Sequence, residues 1–372
     1  MTLDFSLPPE LQELQAKAKS VALEGVKEYG LYNDSWINGY SKEFSKVLAN
    51  EGWIGMTWPI EHGGGGRPGI ERMIVAEEMI RAGAPIAASW VADRQMGPSI
   101  CNYGNLEQQE RFLPGMLSGE TTWCIGMSEP NSGSDLASLT TSAVRDGNDY
   151  VLNGQKIWTS LAAISDYCYL IVRTANEGPP HRGLSEMVVA MEQPGIEIRT
   201  IVDSVNHKHF CEVFFTDVRV PVENLIGEEN QAFAQTMSQL EHERGGIDRL
   251  MSNRPLYDAA YEVADKNDPL VRQEIANLEI GYKLGRLLVY KGAIGQAPKG
   301  FSAGTKCFCT EHEQRVADFA ARILGPKAAA GGEFSDAICY SPAYTIQGGT
   351  SDIMRNILGE RVLGLPREPK VK

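Results

Sequence analysis

The sequence predicts an α+β protein in which a helical segment, a β-rich segment and a second helical segment follow one another. Two changes of hydrophobic period predict this order. Apolar residues recur at helical spacing up to about Met116, alternate from Thr121 to about Val222, and return to helical spacing from Asn230 onward. The 372 residues are 42% hydrophobic and 22% charged, which excludes disordered, collagen-like and coiled-coil classes. A net charge of −13, from 35 basic and 48 acidic side chains, argues against nucleic acid and anionic membrane surfaces as partners. No stretch approaches the ~18 uninterrupted apolar residues of a membrane span, so no membrane insertion is expected. The first residues, MTLDFSLPPELQEL, lack the basic and apolar regions of a secretory signal, and a cytoplasmic location is expected.

In the first segment, Leu11, Leu14, Ala18, Val21 and Ala22 share a helix face that starts at Pro8-Pro9-Glu10. A second run covers residues 70–80 and places Ile70, Met73 and Ile74 together. In a third, Asn105 is the expected N-cap, with Gln108 completing a capping box, Leu106 and Leu113 on one face, and Pro114 as the expected stop. Residues 150–152, 155–158, 167–173, 186–191, 196–201 and 211–220 read as short strands, with Asn153-Gly154 as a hairpin turn. Strands so spaced predict a small barrel or sandwich and not a βαβ sheet. The last segment repeats Phe233, Met237, Leu240 and Arg244, then Ile275, Leu278, Tyr282 and Val289, then Val316, Phe319 and Ile323. Gly285 lies on the middle stripe, where a neighbouring helix could approach closely.

Seven scattered cysteines without a CxxC pair read as free thiols of a reducing compartment, and no metal is expected. Gly64-Gly65-Gly66-Arg67-Pro68-Gly69 matches a dinucleotide fingerprint in form only. No strand precedes it and Pro68 interrupts it, so Rossmann-type NAD binding is rejected. Ser128-Glu129-Pro130-Asn131-Ser132-Gly133-Ser134-Asp135 is a loop that could cradle an anionic or carbonyl-rich ligand, or a plain turn. Asn153-Gly154-Gln155-Lys156-Ile157-Trp158-Thr159-Ser160 ends in an indole beside two hydroxyls, which suits a planar aromatic ligand or core packing.

In Leu240-Glu241-His242-Glu243-Arg244, Glu243 falls on the apolar side of its helix. A carboxylate there is either a general base with a raised pKa or half of an ion pair with Arg244 or Arg249. Gln347-Gly348-Gly349-Thr350-Ser351 combines glycines that permit close backbone approach with a helix cap.

These motifs, in this order, resemble the acyl-CoA dehydrogenase family over nearly the whole chain. The matching stretches are Met127-Ser128-Glu129-Pro130 with Gly133-Ser134-Asp135, Asn153-Gly154-Gln155-Lys156-Ile157-Trp158, Asp217-Val218-Arg219-Val220-Pro221-Val222-Glu223-Asn224-Leu225-Ile226-Gly227, and Gly348-Gly349-Thr350-Ser351. The tail Leu358-Gly359-Glu360-Arg361-Val362-Leu363-Gly364 looks like bacterial members. The resemblance implies an N-terminal α-helical domain (1–118), a central β-barrel-like domain (119–228) and a C-terminal four-helix bundle (229–372), with FAD between the last two.

It further implies that Met127, Ser128, Gly133, Ser134, Trp158, Thr159, Ser160, Thr350 and Asp352 contact FAD, and that Ser134, Glu241, Arg244, Gly348 and Gly349 contact substrate. Many members carry the catalytic glutamate where this chain has Gly348. Another branch, including isovaleryl-like enzymes, places it on a bundle helix immediately before an arginine, which matches Glu243-Arg244.

The implied reaction is α,β-dehydrogenation of an acyl-CoA in lipid metabolism of the fatty acid β-oxidation type. Electrons would pass to an electron-transfer flavoprotein, and the assembly would be a homo- or hetero-oligomer, a dimer of dimers. Two stretches depart from the family: Ala264-Asp265-Lys266-Asn267-Asp268-Pro269 replaces an Arg-x-x-Phe-Gly motif, and Leu324-Gly325-Pro326 replaces Leu-Gly-Gly. Both concern flavin held across a subunit interface. An oxidase or monooxygenase, or a subunit of a heteromeric dehydrogenase, are the alternatives.

Overall fold

A computed structural model describes residues 6–367; within them, the side chains of Glu241, His242 and Glu243 lie outside the described residues. The leading helices are α1 (Pro9–Tyr29), α2 (Lys42–Asn50), α3 (Gly69–Ala82), α4 (Ala87–Val91), α5 (Gly97–Tyr103) and α6 (Leu106–Leu117). Strands β1 (Trp123–Gly126), β2 (Ser142–Asp146), β3 (Asp149–Lys156), β4 (Tyr167–Arg173), β5 (Leu184–Ala190), β6 (Ile196–Ile201), β7 (Phe210–Pro221) and β8 (Leu225–Ile226) follow. The chain then forms α7 (Ala232–Arg244), α8 (Asp248–Met251), α9 (Arg254–Val263), α10 (Pro269–Ala293), α11 (Phe301–Leu324), α12 (Glu333–Tyr340) and α13 (Ser351–Ile357).

In space the chain gathers into two units, which cut across this order. One comprises Tyr40–Gly66 and Ala87–Glu243, the other Met1–Gly39, Arg67–Ile86 and Arg244–Lys372.

The first unit is built on one eight-stranded sheet in the order β6-β7-β3-β2-β4-β5-β8, with β1 beside β4. Most pairs are antiparallel, and β4 is parallel to β1 and, at one residue pair, to β2. The alternating residues of β3, β4, β5 and β7 bury Leu152, Cys168, Leu170, Met187, Val189, Val213 and Val218 in one core. A second core packs Trp58, Phe112, Met116, Trp123 and Tyr169, where Phe112 meets Trp123 edge-on at 5.7 Å. Asn105 caps α6 through the expected box: each of Asn105 and Gln108 accepts the other's N–H through its side chain at 2.9 Å.

Two expectations fail here. Pro114 does not end α6, which runs on to Leu117 because its apolar face still has Leu113 and Met116 to bury. Nor do Asn153 and Gly154 make a hairpin turn: β3 continues through them, and its register with β7 slips between Leu152 and Gly154. Gly154, at φ +151°, passes so close to Thr141 that a Cβ would lie 2.6 Å from its Cα. The β2–β3 hairpin instead turns at Gly147, φ +63°.

In the second unit, α1 lies on α3, and α9, α10 and α13 pack on α11. Gly285 faces Leu250 of α8; a Cβ would come within 2.5 Å of Leu250 Cδ1, so the close approach expected there is real. Helix α11 buries Val316, Phe319 and Ala320, yet also Lys306, Thr310, His312 and Glu313. Glu313 accepts the Asn253 N–H at 2.6 Å, and Asn253 Nδ2 donates to the Glu313 carbonyl at 3.0 Å and to Ser341 at 2.8 Å. Burial lifts the Glu313 carboxyl well above its usual range. Among the described residues, no helix is long and apolar enough to cross a membrane.

Candidate active site

The first unit brings two of the sequence motifs together. The loop after β1 and the end of β3 lie side by side: Ile157 N–H donates to the Ser128 carbonyl at 2.9 Å, and Lys156 Nζ donates to the Met127 carbonyl at 3.0 Å. Beneath them Lys156, fully buried, pairs with Glu129 at 2.9 Å. Glu129 also accepts the Thr140 N–H and hydroxyl and the Thr141 N–H, at 2.7–2.8 Å. Burial alone would raise the Glu129 carboxyl. The Lys156 ammonium and the threonine donors outweigh it and hold the carboxyl at about 2.

Past this anchor the chain turns sharply. Trp158 takes φ +60°, costly for a bulky residue, and is 55% exposed, which excludes the core-packing reading of its indole. Its edge partner is Phe210, at 5.7 Å. Thr159 N–H donates to the Cys211 carbonyl and Leu161 N–H to the His209 carbonyl, which fixes the segment against β7. The Thr159 hydroxyl is buried without a hydrogen-bond partner among the described residues. Ser160 is half-buried. In the neighbouring loop Ser132 is spent on the Asp135 carbonyl, while Gly133 and Ser134 are exposed and a Cβ on Gly133 would meet nothing within 4 Å. An open indole, an orphaned hydroxyl and an uncrowded glycine loop fit an aromatic cofactor with hydrogen-bonding edges, as FAD is.

In the second unit, Gly348 and Gly349 adopt φ +66° and +90°. A Cβ on Gly349 would lie 2.6 Å from Met354 Cε and 3.8 Å from the Arg244 guanidinium, so the glycine lets Arg244 lie against the backbone. Thr350 caps α13 by accepting the Ile353 N–H at 3.1 Å, and the Ser351 hydroxyl is buried without a hydrogen-bond partner among the described residues. The Asp352 side chain is exposed and lies 3.6 Å from Arg355. Glu241, Glu243 and Arg244 end α7. The side chains of both glutamates lie outside the described residues. Arg249, the alternative ion-pair partner, contacts Asp248 at 3.3 Å and lies over the Trp36 ring at 5.2 Å.

The seven cysteines are free thiols. Asp203, His207 and His209, between β6 and β7, bring potential ligand atoms within 4.8 Å of one another, a grouping that a search confined to cysteine pairs overlooks. Burial lowers the His209 imidazole to about 4, so it is neutral at physiological pH.

Models of the acyl-CoA dehydrogenase N-terminal, middle and C-terminal domains match residues 8–120, 124–218 and 230–363. The chain belongs to the acyl-CoA dehydrogenase family. Acyl-CoA dehydrogenase IpdE1 of Mycobacterium tuberculosis is 35% identical over 345 residues, covering 88% of this chain and 89% of that protein. Among solved structures, a chain of the Tcur3481-Tcur3483 steroid ACAD superposes with a TM-score of 0.87 at 31% identity, covering 98% of this chain and all of that one. A chain of the ChsE4-ChsE5 complex from Mycobacterium tuberculosis does so with a TM-score of 0.87 at 30% identity, covering 98% and 100%. Members of this family are oxidoreductases, and the helical, β-sheet and helical segments of the acyl-CoA dehydrogenase described here follow the family's order.

Proposed function

We propose that this acyl-CoA dehydrogenase uses FAD to convert an acyl-CoA thioester to the trans-2-enoyl-CoA, with Glu243 as base and an electron-transfer flavoprotein as electron acceptor. The observation that carries the reading is Trp158, held exposed at φ +60° beside the unpartnered Thr159 hydroxyl. A backbone strained to hold a large ring open to solvent has a use when a second ring lies against it.

When bound, FAD supplies the acceptor for the β-hydride at N5. Met127, Ser128, Gly133, Ser134, Trp158, Thr159, Ser160, Thr350 and Asp352 would hold it. Glu243 takes the α-proton. A thioester α-proton is far less acidic than a carboxylic acid, so charge developing on the carbonyl oxygen must be met by donors; the Gly348 N–H is the chain's contribution. Arg244, Glu241 and Gly349 would contact the acyl-CoA, as the family resemblance implies, and the correct alignment of thioester and base lowers the barrier further.

The departures at residues 264–269 and 324–326 favour a second feature, a heteromeric assembly in which a partner chain completes the flavin's surroundings. The two-chain names of the steroid ACAD and the ChsE4-ChsE5 complex are in keeping with it. The acyl group could accordingly carry a ring system.

Purified protein is expected to be yellow, and anaerobic addition of acyl-CoA thioesters (straight-chain, branched and steroid-side-chain) should bleach the flavin band with at least one of them. Failure of every thioester to bleach a flavin-loaded protein overturns the dehydrogenase reading. Fast recolouring in air, without added acceptor, points to an oxidase. Protein that is colourless until a second chain is co-expressed establishes the heteromer.

A further inference from the structure

Helix α7 carries Glu243 next to its last residue, and a buried polar contact ties its first turns to the sheet. Thr236, fully buried, places its hydroxyl 2.5 Å from Glu186 Oε1 on β5 and 2.9 Å from the Ala232 carbonyl one turn back. The second oxygen of Glu186 accepts from the Tyr169 hydroxyl on β4 at 2.8 Å. One turn further along α7, Gln239 donates to Ser99 of α5 at 3.2 Å. Glu186 is 1% exposed, in a strand whose neighbours Leu184, Met187, Val188 and Val189 are all buried apolar residues.

The groups that face Glu186 are few. Tyr169 comes from β4, with Ser99 and Tyr103 of α5 behind it; α7 offers Thr236; β8 offers Ile226 in register. No charged side chain among the described residues enters its surroundings, and burial pushes the carboxyl up to about 7 against the two hydroxyl bonds.

The protons can be counted. A threonine hydroxyl has one. Given to the Ala232 carbonyl, as threonines in helices commonly do, it leaves the 2.5 Å contact to be bridged by a proton from Glu186. A neutral Glu186 satisfies every group at once: it donates to Thr236 and accepts from Tyr169. An ionised Glu186 would be a buried anion without a cation beside it, which is the costly arrangement.

We propose that Glu186 is a positioning residue: as a neutral carboxylic acid it joins Thr236 to Tyr169 and so fastens the base-bearing helix α7 to the sheet, and its ionisation loosens that helix. The catalytic consequence rests on Glu243 being the base; the proton on Glu186 does not.

The test compares holoenzyme with Glu186→Gln, Glu186→Ala and Thr236→Val. Glutamine reproduces the neutral acid, since its amide donates to Thr236 and its carbonyl accepts from Tyr169. The Glu186 carboxyl is raised in the folded state. Its favourable contribution is therefore complete below the unfolded value near 4.5 and is lost as pH rises to about 7. The melting temperature of Glu186→Gln should rise relative to wild type across that window and then run parallel. The infrared difference spectrum of wild type minus Glu186→Gln at pH 6 should contain the carbonyl band of a protonated, buried acid, since other buried acids such as Glu313 are common to both and cancel.

In anaerobic single turnover, Glu186→Gln should keep the wild-type rate of flavin reduction within about twofold. Glu186→Ala and Thr236→Val should lose about tenfold or more while retaining flavin. Should the alanine variant not fold, Thr236→Val, which keeps the side-chain shape, carries the comparison. Identical pH dependence of melting in wild type and Glu186→Gln, or equal losses in the glutamine and alanine variants, overturns the proposal. If Glu243→Gln still bleaches the flavin, the base assignment falls, and the melting and infrared comparisons still decide the state of Glu186.

Discussion

Glu243→Gln is expected to keep the flavin colour and the melting temperature of the wild type while slowing anaerobic flavin reduction about 10²–10⁴-fold. That is the usual range for removing a general base and corresponds to about 3–5 kcal/mol of barrier. Glutamine has nearly the shape of glutamate, so only the proton acceptor is lost. The chain has Gly348 where many relatives place their glutamate, and a glycine cannot take the α-proton. On the proposed mechanism, the glutamate that precedes Arg244 takes that role. The measurement is stopped-flow bleaching at saturating acyl-CoA. A rate within threefold of wild type would remove Glu243 from the mechanism and leave Glu241, two residues earlier on α7, as the next acid to test.

Lys156→Met should be the most damaging single change in the first unit, at about 3–5 kcal/mol of stability, because it leaves the Glu129 carboxylate buried without its counter-ion. Lys156 also donates to the Met127 carbonyl, so the loop that would hold the flavin loses its anchor and flavin retention should fall with stability. Methionine fills much of the same volume, which confines the loss to charge and hydrogen bonding. Adding Glu129→Gln should recover a good part of the stability, since no buried charge then remains; a double variant as unstable as the single one would refute this account.

Acid should act through the same pair. The Glu129 carboxyl is lowered in the folded state, so its contribution is complete above about 4.5 and is lost as pH falls towards 2, an amount of about 3 kcal/mol. Chemical denaturation midpoints for wild type and the double variant should therefore converge as pH drops through this range.

The two predictions differ in how far the sequence foretold them. The proposal for Glu243 comes from a local signal: a carboxylate on the apolar side of a periodic helix, followed by an arginine. The Asn105–Gln108 box and the strands at residues 167–173 and 196–201 were legible for the same reason, since caps and alternation are set by neighbours a few residues apart. Asn153-Gly154 misled because the dipeptide's turn preference is weak beside the pairing of β3 with β7, which continues past it to Lys156. Pro114 misled because the helix continues past it and buries Met116 beyond the hydrogen bond the proline cannot make.

The site divides in the same way. Met127, Ser128, Trp158, Thr159, Gly348 and Gly349 stand in recognisable motifs, and the exposed indole at Trp158 agrees with the ligand-facing alternative. The Glu129–Lys156 pair spans 27 residues, the Glu186–Thr236 contact 50 and the Asn253–Glu313 contact 60, and no periodicity in the chain announces them.

From its residues alone this chain determined its class, the order of its segments and the family to which its motifs belong. All of these follow from short-range preferences and from spacing along the chain. Only the tertiary structure decided in which direction each buried acid is shifted. Glu129 lies beside a buried ammonium, which lowers its pKa, whereas Glu186 and Glu313 bond to hydroxyl and amide groups, and burial raises theirs. The free energy of a buried charge depends on what surrounds it in space, and those surroundings come from residues far apart in the chain.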